Sequence, residues 1–316
     1  MHTLLWDHWA QTVESTLGSF ARLTEMAGEA LDNALNHHFD TLEQLLDAGW
    51  RHTNLALGLL DEPQVDLGDD ASLVALVTGG TGGIGSEICR ALSNAGNRVV
   101  ATYPPAEHEQ AQAWQRAMRN EGFKVEIAEC DVTSFQACAR MVGDVGRRVG
   151  PIAILVNGAG ITRDATLRKM DHEQWDAVLD TNLDSVFNVT RNVVDQMAER
   201  HFGRIINISS VNGQKGQFGQ TNYSAAKAGM IGFTRALARE LAPDNITVNT
   251  ISPGYVATRM VMAIPEEIRN GIVANIPLGR LAEPYEIARA VAFLAAETNG
   301  YITGSDIPVN GGLYMA

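Results

Sequence analysis

Short apolar runs alternate with amphipathic stretches through residues 71–316 of this 316-residue chain. The apolar runs are rich in Val, Ile and Leu and have the length of buried strands, whereas the stretches between them repeat apolar residues every three or four positions, as helices do. The alternation predicts an α/β fold, with a doubly wound parallel sheet covered by helices on both faces. The predicted strands are residues 72–78, 98–102, 125–129, 152–157, 204–209, 247–251 and 306–309.

Prolines add two details to this pattern. Residues 260–276 have a helical pattern bounded by Pro265 and Pro277, which predicts a small lid over the ligand site. Pro308 lies in the last predicted strand. Because proline has no N–H to donate to a neighbouring strand, we expect this strand at an edge of the sheet.

Residues 1–60 have a different pattern, which predicts an α-helical extension. Apolar residues recur at three- and four-residue spacing, with interruptions near Gly28 and Gly49. So small a segment cannot bury its apolar stripe in a core of its own. Two interpretations stay open: an arm for oligomerisation or docking, and a coat on a granule or lipid surface. The stripe consists of Leu5, Trp9, Val13, Leu17, Phe20, Leu23, Ala27, Leu31, Leu35, Phe39, Leu42, Leu45 and Leu46.

The distribution of charged residues also separates an N-terminal segment from the rest of the chain. Residues 1–70 hold 13 acidic and two basic residues, whereas the remainder is close to balance. Residues 61–70 are acidic and contain proline and glycine, which predicts a linker between the helical arm and a domain over 71–316. Neither part offers a basic surface for nucleic acid.

The cysteines and the hydropathy pattern bear on the compartment. Cys89, Cys130 and Cys138 are an odd number without CxxC spacing, which argues against a disulfide framework or a metal site. The sequence has neither the pattern of a signal peptide nor an apolar run close to the roughly 20 residues that span a bilayer. We therefore expect a cytoplasmic protein with no transmembrane segment.

A glycine-rich turn separates the first predicted strand from an amphipathic stretch. Glycines at this position let the backbone approach a pyrophosphate, which then rests on the N-terminus of the following helix. The turn predicts a Rossmann-type dinucleotide site. Its residues are Thr78, Gly79, Gly80, Thr81, Gly82, Gly83, Ile84 and Gly85.

A second constellation follows the fifth predicted strand. Ser210 lies where the strand ends, and Tyr223 and Lys227 share one face of the predicted helix over 222–241. An ammonium beside a phenol lowers the pKa of the phenol toward working pH, so Tyr223 can protonate a carbonyl oxygen that Ser210 stabilises. The alternative is that Tyr223 and Lys227 form an ordinary helix pair.

Together these motifs resemble the short-chain dehydrogenase/reductase family over residues 71–316. The family usually has Asn where Gly158 stands. The resemblance implies a homotetramer and a proton relay through a water held by Asn182. From the residues alone, Asn182 can equally be a helix-capping or buried amide. The further cofactor contacts that the resemblance implies are Asp131, Val132, Asn157, Gly158, Ala159, Gly160, Pro253 and Gly254, beside Tyr223 and Lys227.

The choice of nicotinamide depends on the end of the second strand. An acidic residue there binds the ribose 2′-hydroxyl of NAD. Residues 101–104 contain no acid, and the first one after them is Glu107. A missing carboxylate removes a repulsion against a 2′-phosphate, so we expect NADPH rather than NADH.

Within the family, residues 161–164, 207–223 and 252–258 resemble the acetoacetyl-CoA reductases of polyhydroxyalkanoate synthesis. The resemblance implies NADPH-dependent reduction of acetoacetyl-CoA to (R)-3-hydroxybutyryl-CoA. It also implies an acyl-CoA site lined by Asp164, Lys169, Ser210, Gln217, Phe218, Gln220, Tyr223 and Tyr255. Arg163, Arg168 and Lys169 form a basic cluster that meets an anionic substrate or is simply solvated.

Two alternative functions stay open. One is the same reaction on acyl-carrier-protein thioesters, and the other is a non-enzymatic nucleotide-binding scaffold. The complete set of Asn182, Ser210, Tyr223 and Lys227 argues against the scaffold, which does not need it. Residues 1–60 resemble the helical phasins that coat polyester granules, which suggests association with a granule or its polymerase.

Overall fold

The computed structural model describes residues 72–315; the predicted arm over 1–60 and the linker over 61–70 lie outside the described residues. Seven strands form a single parallel sheet in the order β3-β2-β1-β4-β5-β6-β7. The strands are β1 (Val74–Thr78), β2 (Arg98–Tyr103), β3 (Val125–Glu129), β4 (Ile152–Asn157), β5 (Gly203–Ile208), β6 (Ile246–Pro253) and β7 (Asp306–Val309). The predicted doubly wound parallel sheet is confirmed.

Helices cover both faces of this sheet. They are α1 (Gly83–Asn94), α2 (His108–Asn120), α3 (Phe135–Arg148), α4 (His172–Leu179), α5 (Ser185–Glu199), α6 (Val211–Lys215), α7 (Thr221–Leu241), α8 (Arg259–Met262), α9 (Glu266–Ala274) and α10 (Pro284–Ala295). A π turn, Asp180–Asp184, joins α4 to α5. No helix between residues 72 and 315 is long and apolar enough to cross a bilayer.

The two faces of the sheet have separate apolar cores. On one face, Ile88 of α1 and Val291 of α10 pack with alternate residues of the strands, such as Val77. On the other face, Val145 of α3 and Val193 of α5 pack with the opposite residues. All of these side chains are buried, and each contributes roughly 1.5–3 kcal/mol by burial. Burial on both sides explains why the strands are continuous apolar runs.

The strand order places a topological switch between β1 and β4. The chain runs outward from β1 to β3 on one side and resumes with β4 on the other, so the loops after β1 and β4 diverge. Such a divergence leaves a crevice at the carboxyl ends of the strands, where ligands bind in open α/β sheets.

The prolines act largely as expected. Pro308 lies in β7, at an edge of the sheet. The region predicted as a helical lid contains two helices, α8 and α9, rather than one. Pro265 is the N-cap of α9, and a proline cannot continue the preceding helix because its ring and missing N–H interrupt the hydrogen bonding.

Candidate active site

The glycine loop, residues 79–85, forms the floor of a cavity. Its backbone packs so closely that two of its positions cannot hold a side chain. A Cβ on Gly80 would lie 2.6 Å from the Cβ of Ala101, and one on Gly85 would lie 2.2 Å from the carbonyl oxygen of Gly79. Gly79 has a φ of +64°, and the amide of Gly82 donates to its carbonyl oxygen at 3.1 Å. These close approaches require glycine and bring backbone to the N-terminus of α1.

The start of α1 suits an anion. Gly82 is the N-cap and supplies no side-chain acceptor for the first amides of the helix. Free amides and the positive end of the helix dipole favour a pyrophosphate. The residues present therefore fit a dinucleotide cofactor.

The side chains of Thr78 and Asn157 hold in place the loops that follow β1 and β4. The amides of Gly158 and Ala159 donate to Thr78 Oγ1 at 3.0 and 3.2 Å. Asn157 is buried, and its Nδ2 donates to Asn207 Oδ1 at 2.8 Å. Both residues were expected to bind cofactor, but their side chains hold the ends of β1 and β4 instead of lining the crevice.

The crevice has a volume of about 830 Å³. The predicted site residues that line it are Gly79, Thr81, Gly82, Gly83, Ile84, Gly85, Asp131, Val132, Gly158, Ala159, Gly160, Asp164, Ser210, Gln220, Tyr223, Lys227, Pro253, Gly254 and Tyr255. The sequence therefore brings residues from six predicted loops and helices to a single cleft.

Three predicted substrate residues lie outside the cleft walls. Lys169 is exposed, Phe218 is 86% exposed, and Gln217 Oε1 accepts from Lys215 Nζ at 2.9 Å. Arg163 and Arg168 are exposed as well. The basic cluster thus faces solvent, and its predicted contact with an anionic substrate stays a prediction.

Tyr223 and Lys227 lie one helical turn apart on α7. The Nζ atom of Lys227 is 5.7 Å from the centroid of the Tyr223 ring. Lys227 is 4% exposed, and its Nζ donates to the carbonyl oxygen of Ile208 at 2.8 Å. That bond fixes the ammonium at the end of β5, beside the phenol.

Ser210 completes the group. It is the N-cap of α6, and its Oγ accepts from the amide of Asn212 at 3.1 Å. Its hydroxyl also hydrogen-bonds Tyr223, which favours the phenolate. The three side chains that the sequence singles out therefore meet at the carboxyl ends of the strands.

The pKa of Tyr223 differs from expectation. Burial raises it above the ordinary value, and this effect exceeds the lowering by the Ser210 hydrogen bond; the charge of Asp164 raises it further. Burial also lowers the pKa of Lys227 to about 8. The expectation that Lys227 pulls the phenol toward working pH is wrong for this state, because desolvation dominates both groups. Tyr223 is a protonated donor at neutral pH, and Lys227 is mostly charged.

Asn182 lies in the π turn and is fully buried. Its Oδ1 accepts from the amide of Ile161 at 2.7 Å, and its Nδ2 donates to the carbonyl oxygen of the same residue at 2.9 Å. A Cβ on Gly160 would lie 3.2 Å from Asn182 Oδ1 and 3.6 Å from Lys227 Nζ. Asn182 thus holds the loop after β4 beside Lys227, and its role in a proton relay stays a prediction.

A chain of hydrogen-bonded polar side chains, Asn212, Gln220 and Asp164, lines another part of the cleft. Asn212 Nδ2 donates to Gln220 Oε1 at 2.9 Å, and Gln220 Nε2 donates to Asp164 Oδ2 at 2.8 Å. A hydrogen bond links Tyr255 to Asn212, although burial outweighs it and raises the pKa of Tyr255. Sequence reasoning missed Asn212, and its only clue was its place two residues after Ser210.

The end of β2, where the choice of nicotinamide is expected to be made, forms another wall of the cleft. Thr102 Oγ1 accepts from the amide of Gly79 at 3.3 Å, and Tyr103 Oη is 2.8 Å from His108 Nδ1. Pro104 and Glu107 follow them along the cleft. Their place after a central strand was the available signal. The other lining residues that were missed are Cys130, Thr133, Ile161, Thr162, Thr181, Ile208, Ser209, Val211, Val256, Thr258, Arg259, Val261 and Ile264.

Glycine loop, serine, tyrosine and lysine at one cleft define a nicotinamide-dependent oxidoreductase. The chain belongs to the short-chain dehydrogenase family, whose model matches residues 73–269. It is 59% identical to acetoacetyl-CoA reductase of Allochromatium vinosum over 242 residues, which are 77% of this chain and 98% of the relative. Acetoacetyl-CoA reductase of Cupriavidus necator is 52% identical, with the same coverage of 77% and 98%. The 3-oxoacyl-[acyl-carrier-protein] reductase of Haemophilus influenzae is 43% identical, again with 77% and 98% coverage.

Proposed function

We propose that this chain reduces acetoacetyl-CoA to (R)-3-hydroxybutyryl-CoA with NADPH. The observation that carries the proposal is the meeting of Ser210, Tyr223 and Lys227 beside a glycine loop that fits a dinucleotide. The substrate is supported by the relatives named acetoacetyl-CoA reductase, at 52–59% identity against 43% for the carrier-protein enzyme. The configuration of the product rests on the family resemblance.

The mechanism uses the geometry of α7 and the end of β5. When bound against the glycine loop, the nicotinamide cofactor supplies a hydride to the ketone carbon. Tyr223 donates its proton to the carbonyl oxygen, and the Ser210 hydroxyl stabilises the negative charge that develops there. Lys227 is held by the carbonyl oxygen of Ile208 beside the phenol, where its cation stabilises the phenolate that remains after proton transfer.

The walls of the cleft support these groups. Asn182 holds the loop after β4 through Ile161. On the other side, Asp164 and Gln220 are oriented by their mutual hydrogen bond, which leaves an ordered polar surface for the thioester. Ordered side chains reduce the entropy lost when a substrate is positioned.

The substrate assignment predicts a preference between thioesters. We expect kcat/KM for acetoacetyl-CoA to exceed that for acetoacetyl-acyl-carrier-protein by at least tenfold, measured from NADPH oxidation at equal substrate concentration. The reverse order would identify the carrier-protein reaction as the function. Turnover of neither thioester, with cofactor binding intact, would favour the nucleotide-binding scaffold instead.

The cofactor preference predicts an effect of Glu107. Glu107 lines the cleft beyond β2, where its negative charge would oppose a 2′-phosphate, whereas residues 101–104 carry no acid. We expect higher kcat/KM with NADPH than with NADH. Glu107→Gln should raise the NADPH value about fivefold, corresponding to removal of about 1 kcal/mol of repulsion, and leave the NADH value unchanged.

Steady-state kinetics with both nicotinamides at subsaturating concentration test this prediction. Glu109→Gln is the matched control, since Glu109 is exposed on α2 and is not a cleft residue. Faster turnover of NADH by the unmodified chain would contradict the cofactor assignment.

Residues 1–60 are proposed to associate with a polyester granule or its polymerase, in a cytoplasmic homotetramer. The support is the helical spacing of the apolar stripe in this segment, together with the place of the proposed reaction in polyester synthesis. We expect deletion of residues 1–68 to abolish co-sedimentation with isolated granules and to leave the specific activity unchanged. Undiminished co-sedimentation of the shortened chain would end this hypothesis, and size-exclusion chromatography of both chains tests the tetramer.

A further inference from the structure

Two thiols lie in contact behind the wall of the cofactor cleft. Cys130 follows β3, and Cys138 is in the first turn of α3. Their Sγ atoms are 3.8 Å apart, and Cys138 Sγ is 3.6 Å from the carbonyl oxygen of Val132. Cys130 also lines the cleft. Between the two thiols lie Asp131 and Val132, the residues expected to border the adenine.

The pair is chemically unequal. The contact between the two sulfurs holds the pKa of Cys130 below its ordinary value, whereas the same contact and burial raise the pKa of Cys138. The thiolate is the nucleophilic form of cysteine. Cys130 is 5% exposed and lines the cleft, whereas Cys138 is 0% exposed and does not line it. Cys130 is therefore the sulfur that reacts first, and Cys138 is placed to react with it.

We propose that Cys130 and Cys138 form a peroxide-sensitive dithiol that closes to a disulfide and weakens cofactor binding. The Cys130 thiolate attacks hydrogen peroxide, the O–O bond breaks, and hydroxide leaves and is protonated to water. The resulting sulfenic acid is attacked by the Cys138 sulfur, so an S–S bond forms and the S–O bond breaks with release of a second water. Two thiols are oxidised by two electrons, and one peroxide is reduced.

Closure of the disulfide disturbs the adenine side of the cleft. The sulfurs must approach from 3.8 Å to about 2.05 Å, which draws Cys130 toward α3. Asn188 Nδ2 holds the intervening turn by donating to the carbonyl oxygens of Val132 and Thr133, both at 3.1 Å. The approach of the sulfurs therefore strains these hydrogen bonds and displaces Asp131 and Val132. This effect on cofactor binding rests on the proposed function, whereas the disulfide itself does not.

The chemical test uses the full chain, reduced and then exposed to hydrogen peroxide. Free thiols are blocked with N-ethylmaleimide, and tryptic peptides are analysed without reductant. Cys130 and Cys138 share the peptide 125–140, so the disulfide removes two hydrogens and two labels from one peptide. We expect this product to form and to revert with dithiothreitol.

Cys89 is the internal control. It is fully buried, its Sγ is 3.7 Å from the carbonyl oxygen of Gly80, and burial raises its pKa. We expect it to stay reduced, and oxidation of Cys89 as fast as Cys130 would overturn the assignment. In Cys138→Ser, dimedone should label Cys130 and no disulfide should form. In Cys130→Ser, Cys138 should stay a thiol. Persistence of both thiols in the folded unmodified chain, while they oxidise in urea, would also overturn the proposal.

The second measurement is the affinity of the chain for NADPH before and after oxidation. We expect the oxidised chain to bind NADPH at least tenfold more weakly in a fluorescence titration, with recovery after dithiothreitol. Bound NADPH should in turn slow disulfide formation, because Cys130 lines the cleft that the cofactor would occupy. A disulfide that leaves the NADPH affinity unchanged would contradict the proposed effect of oxidation on cofactor binding. Absence of NADPH binding by the reduced chain would instead contradict the proposed function.

Discussion

Replacement of Tyr223 by Phe should abolish reduction and leave cofactor binding intact. We expect kcat to fall by roughly 10²–10⁴-fold, the contribution of a positioned general acid. The substitution removes the one hydroxyl that lies both next to Ser210 and one helical turn from Lys227. The ring, which supplies the packing, is retained. The measurements are turnover of acetoacetyl-CoA and fluorescence titration of NADPH.

Tyr301→Phe is the matched control for this substitution. Tyr301 is fully exposed, so loss of its hydroxyl should change neither turnover nor binding. Turnover by Tyr223→Phe within tenfold of the unmodified chain would show that another group delivers the proton. Loss of NADPH binding as well would show that the phenol acts in cofactor binding rather than as an acid.

The sheet could be predicted from the sequence because each of its strands is a short apolar run that is visible along the chain. β3 and β4 begin and end where the apolar runs predict them to, and the edge position of β7 followed from Pro308. The glycine loop could be predicted equally well, since the close approach of neighbouring atoms excludes every side chain at Gly80 and Gly85. In each case a local rule decides the structure.

Features that depend on distant residues could not be predicted in this way. Gln220 bonds Asp164, which is 56 residues earlier, and no periodicity connects them. Asn212 and Gln220 are only eight residues apart, as are Cys130 and Cys138, but each pair spans a loop whose conformation no periodic pattern predicts. The raised pKa of Tyr223 was missed for a related reason, because helical spacing shows proximity to a cation but not the extent of burial.

Lys227→Met should remove activity without weakening the fold. We expect kcat/KM to fall by roughly 10²–10³-fold, the usual cost of losing one preorganised electrostatic group. Burial lowers the pKa of Lys227 to about 8 from its ordinary value of 10.5, so keeping the cation buried at pH 7 costs about 3 kcal/mol. The variant loses this penalty, but it leaves the carbonyl oxygen of Ile208 unpaired, which costs about 1–3 kcal/mol. The free energy of unfolding at pH 7 should therefore be unchanged or higher.

The pH dependence separates this explanation from a simple packing effect. Between about pH 8 and 10.5 the unfolded chain binds the Lys227 proton and the folded chain does not, so the stability of the unmodified chain rises with pH in this window. Relative to Lys227→Met, it should gain about 2 kcal/mol from pH 7 to 9.5 in urea titrations. Its kcat/KM should decline above about pH 8, as the cation is lost. The exposed Lys124→Met is the control and should show neither effect. A stability difference that does not change with pH would mean that Lys227 is not a desolvated cation, and the electrostatic role given to it beside Tyr223 would then fail as well.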